Sequence, residues 1–472
     1  MTIRPWNLAV AVSLCLLAAG CSQGSSGSAA GGTGGALANA GTSGRSSSAA
    51  GSSGAASSLG GATSAGAANT AGAASSSAGS SGSSPGTGGA STGGANAAGA
   101  STGGASTGGA NAAGASTGGA SAGGTNAGGA STGGADTVDA SKMATAMGFG
   151  ANIGNTLENT SSWETGWGQP LITQAFINGM ASRGIKTVRV PVAWDTYANN
   201  GVIDATKMNR VKEVVGWINA AGMYSIVNIH WDGGWIFNEN KPNQFKLTSD
   251  VTTKFASYWT QIATAFSSVG NQLVFEGLNE EGRFYVNGDS TQAPDYAALN
   301  QLNQLFVTTV RAQSGFNKTR ALLIAGFNTD IDLTCVSGFA IPSDPAGSSK
   351  LFLSIHYYTP YTFTGLDTVE TWGSPAVKWG TDTEKAALQT LFSKLESFST
   401  ARKIPVILGE FAVTPGVNYV RESASRVLWM ESVAKAALSR HMVPVLWDTG
   451  SEIKRTDGSF SPEFQTVMND TK

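Results

Sequence analysis

Apolar positions change their pattern at about residue 137. Beyond it, short β-branched apolar runs recur at 149–153, 187–192, 225–229, 273–278, 321–324, 351–355, 406–408 and 444–446. Each is bounded by polar or turn-forming residues and is short enough to read as a strand buried on both faces. Between them, apolar residues return every three or four positions at 208–221, 253–268, 296–313, 384–397 and 422–439. That spacing predicts amphipathic helices. Eight strands alternating with helical crossovers predict parallel βα units. An α/β fold of about 335 residues suits a closed (β/α)8 TIM barrel better than an open doubly wound sheet.

Ahead of the barrel the pattern vanishes. Residues 22–135 contain no aromatic side chain, one Pro (Pro85) and two Leu (Leu37 and Leu59). Apart from Gln23 and Arg45, the rest is Gly, Ala, Ser, Thr and Asn. Nothing there can bury enough apolar surface to offset chain entropy, so a disordered Gly/Ala/Ser/Thr-rich linker is expected over 21–136. As a random coil it would span roughly 55–65 Å, at ~5–6 Å times the square root of its length. Its five-residue near-repeat from residue 90 is low complexity rather than a solenoid. Gly82-Ser83-Ser84-Pro85-Gly86 matches the nucleophile elbow of hydrolases only formally, having no strand before it and no helix after.

Residues 1–20 read as an export signal. Arg4 supplies the positive start, and the apolar stretch at 8–17 is too short to span a bilayer. It runs into Leu17-Ala18-Ala19-Gly20-Cys21, which resembles a bacterial lipobox. The resemblance implies lipidation of Cys21 and an exported protein anchored at the cell surface or outer membrane, the alternative being plain secretion. Residues 137–472 are then the catalytic domain.

Charge narrows the function. The chain has 29 basic and 31 acidic residues, and every acidic one lies at or after Asp136. Only Arg4 and Arg45 are basic before it, which leaves 27 against 31, a net charge of −4, for the domain. A near-neutral surface without basic runs argues against nucleic acid or a membrane surface as partner, apart from the lipid anchor. Cys335 is the single Cys of the domain, and no cluster of His and Cys suggests a metal or cofactor. A monomer without cofactors is expected.

Candidate chemistry sits where strands end, the functional end of a barrel. Leu273-Val-Phe-Glu276-Gly-Leu-Asn279-Glu280 is an apolar strand that then presents an amide and a carboxylate; Pro405-Val-Ile-Leu-Gly409-Glu410-Phe411 presents one carboxylate. Two strand-end carboxylates suit a glycosidase, one as proton donor and the other as nucleophile. Glu276, earlier on its strand, reads as support inside the barrel. Trp163, Trp167, Trp194, Trp231 and Trp235 fall in loops at that face, where sugar rings could stack. Of these, Trp235 is the expected platform. Trp217, Trp259 and Trp429 fall in helical patterns and read as packing, and His441 as structural.

These residues resemble glycoside hydrolase family 5, the endo-β-glycanase barrels, over most of 147–448. The resemblance implies Glu280 in Asn279-Glu280 as acid/base and Glu410 in Gly-Glu-Phe as nucleophile. It implies supporting roles for Arg189 in Val-Arg-Val-Pro, His230 in Asn-Ile-His-Trp-Asp, Asn279, and the His356 and Tyr358 pair of Ile-His-Tyr-Tyr. It makes Trp447 in Val-Leu-Trp-Asp a sugar platform. Gly154-Asn155-Thr156-Leu157-Glu158 and Glu164-Thr-Gly-Trp-Gly-Gln-Pro170 resemble endoglucanase-like and xyloglucanase-like branches. Glu281 departs from the pattern, which has Pro after Asn-Glu. The implied activity is that of a retaining endo-β-1,4-glycanase on β-1,4-glucan, mixed-linkage glucan or xyloglucan. The alternatives are a β-mannanase of the same family and a non-catalytic glycan-binding barrel. On this reading Arg189 lowers the pKa of Glu410.

Overall fold

A computed structural model describes residues 138–236, 246–286, 289 and 291–471. The export signal, Cys21 and the linker lie outside the described residues. Eight strands form the barrel: β1 (Gly150–Asn152), β2 (Thr187–Val190), β3 (Tyr224–Asn228), β4 (Leu273–Glu276), β5 (Leu322–Ala325), β6 (Leu351–Tyr357), β7 (Val406–Phe411) and β8 (Val443–Leu446). Each pairs in parallel with its sequence neighbours, and β1 pairs with both β2 and β8, so the sheet closes without an edge. All eight coincide with the apolar runs, because strands covered on both faces need no alternation of polarity.

The helices begin where side chains can cap them. Thr173, Asp204, Thr248 and Asp295 each accept from a backbone N–H of the first turn of Gln174–Ser182, Ala205–Ala220, Ser249–Ala265 and Tyr296–Ala312. Thr381 and Glu384 close a capping box at the start of Asp382–Arg402. The crossover from β5 to β6 departs from the expected helical connection. It holds only short turns and the four-residue helix Ile331–Thr334. Gly338, Pro342, Pro345 and Gly347 break any longer helix there.

Two apolar layers result. Helices pack on the outside of the strands through residues such as Phe176, Trp259, Phe306, Phe392 and Trp429. Inside, Ile226, Val274, Leu323, Phe352, Ile407, Val443 and Val445 fill the amino-terminal half of the barrel. The helix Ala140–Met147 packs its Met143, Ala144 and Met147 onto that inner layer and so closes the barrel at this end. Thr187 Oγ1 donates to the Met147 carbonyl at 2.7 Å, and Lys350 Nζ to that of Val138 at 2.8 Å. Polar residues are left for the carboxyl end of the strands.

Candidate active site

Arg189 organises that end. It is fully buried on β2, and its guanidinium donates to four side chains: Glu276 at 2.6 Å, Asn152 at 3.0 Å, Glu410 at 2.8 Å and Asn279 at 2.7 Å. These come from β4, β1, β7 and the end of β4, so one planar fork ties together strands from around the barrel. Ser354 on β6 donates to the other Glu276 oxygen at 2.7 Å. Glu276, the last residue of β4, therefore serves as barrel support. Burial pulls the Arg189 guanidinium down, but Glu276 and Glu410 outweigh it and hold it above its ordinary value.

Glu410 and His356 meet through a bulge. The pairing of β6 with β7 shifts between Ile355 and His356, so that His356 lies opposite Glu410 and Gly409 is passed over. A Cβ on Gly409 would stand 3.0 Å from His356 Nε2, which explains a glycine there. His356 Nδ1 lies 2.8 Å from Glu280 Oε1 and 3.6 Å from Glu410 Oε2. One oxygen of each carboxylate and a His356 nitrogen all fall within 4.8 Å of one another. Tyr358 donates its hydroxyl to Glu410 Oε2 at 2.9 Å, and burial pushes that phenol well above its usual range, so it remains a donor.

Arg189 was expected to lower the pKa of Glu410, and a hydrogen bond from Tyr358 favours the same charged form. Burial outweighs them. It raises the Glu410 carboxyl, while the positive charges of His356 and Arg189 and the Tyr358 hydrogen bond pull it back. The carboxyl is thus 2% exposed yet fully ligated on both oxygens, which keeps its geometry fixed.

Asn279 gives its carbonyl oxygen to Arg189, which turns its NH2 donors away from the barrel interior. His230 stacks on Trp447 with ring centroids 5.6 Å apart and planes 5° from parallel. Burial, with the charges of Arg189 and His356, lowers His230 far below the ordinary histidine value, so it stays neutral. A Cβ on Gly154 would lie 3.0 Å from the Trp447 ring, so the chain at β1 supports the platform from a second side. A cleft of about 350 Å³ lies over these groups, walled by Asn155, Trp167, Trp231 and Trp447, among others.

Among the aromatic expectations, Trp167 and Trp231 line this cleft and Trp235 does not. Trp235 stands edge-on to Tyr258 at 5.7 Å with Lys254 over its ring. Trp194 is fully buried, donating to the Asn228 carbonyl at 2.8 Å, and Trp163 packs against Tyr197. Asn152 and Ser354 were not singled out beforehand. Their signal was a polar residue inside an otherwise apolar strand run.

Two further carboxyls are buried at the cleft. Glu158 accepts from the backbone N–H of Thr156 at 2.9 Å and from that of Asn155, and burial pushes its acid up to about 7. Burial likewise pushes Glu281 up to about 8, with the charges of Glu280 and Glu276 adding to it. Both ionise near 4.5 once unfolded. Between those values the folded state holds more protons, so stability falls as pH rises, by up to ~1.4 kcal/mol per pH unit and group. This contribution is complete below pH 4.5 and gone above about 8. Relative to the parent, Glu281→Gln should therefore gain in urea midpoint from pH 4.5 to pH 8. A pH-independent difference between the two would contradict a protonated buried acid.

Comparison with known proteins agrees with this geometry. A family model described as Cellulase (glycosyl hydrolase family 5) matches residues 145–452, which include all eight strands. Endoglucanase A of Paenibacillus barcinonensis is 33% identical over 343 residues, covering 66% of this chain and 83% of that protein. A xyloglucan-specific endo-beta-1,4-glucanase of Bacteroides ovatus is 31% identical, over 67% of this chain and 66% of its own. Among solved structures, a broad-specificity endoglucanase from an uncultured bovine rumen ciliate superposes with a TM-score of 0.63 at 32% identity, covering 71% of this chain and 98% of that one. The Bacteroides ovatus xyloglucanase bound to a XXXG heptasaccharide gives 0.60 at 27% identity, over 71% and 76%. With the whole barrel inside the matched span, the chain is a cellulase-like glycoside hydrolase and belongs to family 5.

Proposed function

We propose that the protein is a retaining endo-β-1,4-glucanase acting on β-1,4-glucans, xyloglucan included, with Glu410 as nucleophile and Glu280 as acid/base. The observation that carries the mechanism is the spacing of the two carboxylates, which approach within 4.8 Å. Retaining pairs stand ~5–5.5 Å apart, whereas inverting pairs leave ~6.5–9.5 Å for a water between them. Glu410, held by Arg189 and Tyr358, attacks the anomeric carbon as Glu280 gives its proton to the departing glycosidic oxygen. Glu280 then takes a proton from water, whose oxygen displaces Glu410 and restores the β configuration. Asn279 offers its NH2 to the sugar 2-hydroxyl, and Trp447, braced by His230, offers a stacking face.

The substrate reading is supported by relatives whose names specify endoglucanase and xyloglucan-specific activity. Proton NMR of the first products from a panel of soluble β-glycans tests both parts. The β-anomer should appear first, with glucan or xyloglucan cleaved faster than mannan. An α-anomer appearing first would overturn double displacement, faster mannan cleavage would favour the mannanase, and no cleavage of any glycan would favour a binding barrel.

We propose in addition that Cys21 is lipidated and holds the enzyme at a membrane, on the strength of the small residues and apolar run that precede it. Cys21→Ser should move the activity from the membrane fraction to the soluble one. Activity that stays where the parent was found would defeat the anchor.

A further inference from the structure

Past the ends of β6 and β7, two loops wall the cleft with residues that the mechanism does not use. Asp367 in the first loop, and Pro415, Gly416 and Val417 in the second, line the cleft. The second loop, between Phe411 and Ser423, is irregular, so side chains must satisfy its backbone. Asp367 does so. It is 7% exposed, and its carboxylate accepts from three successive backbone N–H groups: Val417 at 3.0 Å, Asn418 at 2.8 Å and Tyr419 at 3.1 Å. Arg421, buried beside it, donates to the same carboxylate at 3.0 Å. The guanidinium also donates to the carbonyls of Phe363 at 2.9 Å, Tyr419 at 3.0 Å and Leu366, so it spans both loops. Gly416 makes the turn with a φ of 78°, and a Cβ there would stand 2.1 Å from Arg421 Nη1.

This clamp holds an apolar side chain over the cleft. Val417 is 73% exposed and belongs to no apolar cluster among the described residues. An apolar side chain on a fixed backbone at a cleft suits the C–H face of a sugar ring. We propose that Asp367 is a positioning residue for substrate binding, fixing the 416–419 turn as a wall against which a glucose unit next to the reacting one lies, with Val417 as its apolar contact. The reacting sugar lies over Glu280 and Glu410 at the strand ends, so loops that rise past those ends meet its neighbours along the chain. The proposal rests on the glucanase reading and extends it beyond the cleaved bond.

Kinetics on cello-oligosaccharides from cellotriose to cellohexaose test it, with melting followed alongside. Asp367→Asn keeps the shape but leaves one acceptor oxygen and turns an NH2 towards other donors. It should raise KM roughly 5–20-fold with kcat within about twofold, and the rise should set in at a definite chain length. Val417→Ala alters an exposed side chain and should melt like the parent. Its KM should rise about two- to threefold, in a step at the same chain length. A general loosening of the barrel would weaken every length alike. An Asp367→Asn enzyme that melts like the parent with the parent's KM at every length overturns the proposal. So does an equal loss at every length, or a Val417→Ala enzyme without the step. If Asp367→Asn does not fold, Val417→Ala decides. A parent enzyme inactive on every β-glucan would instead defeat the glucanase reading, so the two failures are distinct.

Discussion

Glu410→Ala should reduce glucan turnover by roughly 10⁴–10⁶-fold, leaving the fold intact. The nucleophile's carboxylate makes the bond that carries the intermediate, and no other group among the described residues is placed to replace it. Within the 4.8 Å cluster the remaining members are Glu280, aligned to the leaving oxygen, and His356, which burial and Glu280 occupy. Glu280→Ala should behave differently. It removes a general acid, which contributes ~10²–10⁴-fold, so the loss is smaller and depends on the leaving group. On an aryl glycoside with a good leaving group the first step should survive, and the intermediate should accumulate. Added azide, which needs no general base, should then restore turnover and yield a β-glycosyl azide. Initial rates and product identity check this, and near-normal glucan activity in either variant would remove that residue from its role.

Arg189→Leu should destabilise the barrel by ~3–5 kcal/mol, the usual result of leaving a buried charge without its partner. Two carboxylates lose a shared buried cation, since Glu276 and Glu410 both bond to this guanidinium. For a domain of this size that corresponds to a fall in Tm of roughly 4–7 °C. Activity should vanish with it, because Glu410 and Asn279 lose their alignment together. Arg189→Lys should not rescue either property: one ammonium cannot reach four acceptors on three strands, where the planar fork can. Adding Glu276→Gln to Arg189→Leu should recover part of the lost stability by removing one orphaned charge. Thermal melts of the single and double variants decide the matter, and an unchanged Tm in Arg189→Leu would contradict the account.

Much of this was legible in the sequence. The eight strands stood out because a parallel barrel buries both faces of each, which compresses the signal into continuous apolar runs. Glu280, Glu410, Arg189, His230, Asn279, His356, Tyr358 and Trp447 all cluster at one end because each follows or ends a strand. What escaped reading depends on packing rather than pattern. Nothing local separates Trp194, sealed under the loop after β2, from Trp231, which faces the cleft. Trp235 bears the same neighbours in sequence as a platform would, yet Tyr258 and Lys254 occupy its surroundings. The helix Ala140–Met147 is short and small-residued, and its role appears only once the barrel has an open end for it to close. The net effect of burial on Glu410 was likewise hidden, since a sequence names the charges near a carboxylate but not the water it loses.

The closed end of the barrel also bears on how the domain would carry a mechanical load. Lys350 bonds the Val138 carbonyl just ahead of the plugging helix, while the cleft opens at the opposite end of the strands. Were the chain restrained on its amino-terminal side, as the proposed Cys21 anchor would do, a polysaccharide dragging on the cleft would pull along the strand direction. Parallel ladders loaded this way share the force across their hydrogen bonds in shear rather than parting one bond at a time. The line of force would then run through the barrel wall rather than through the carboxylates near its axis.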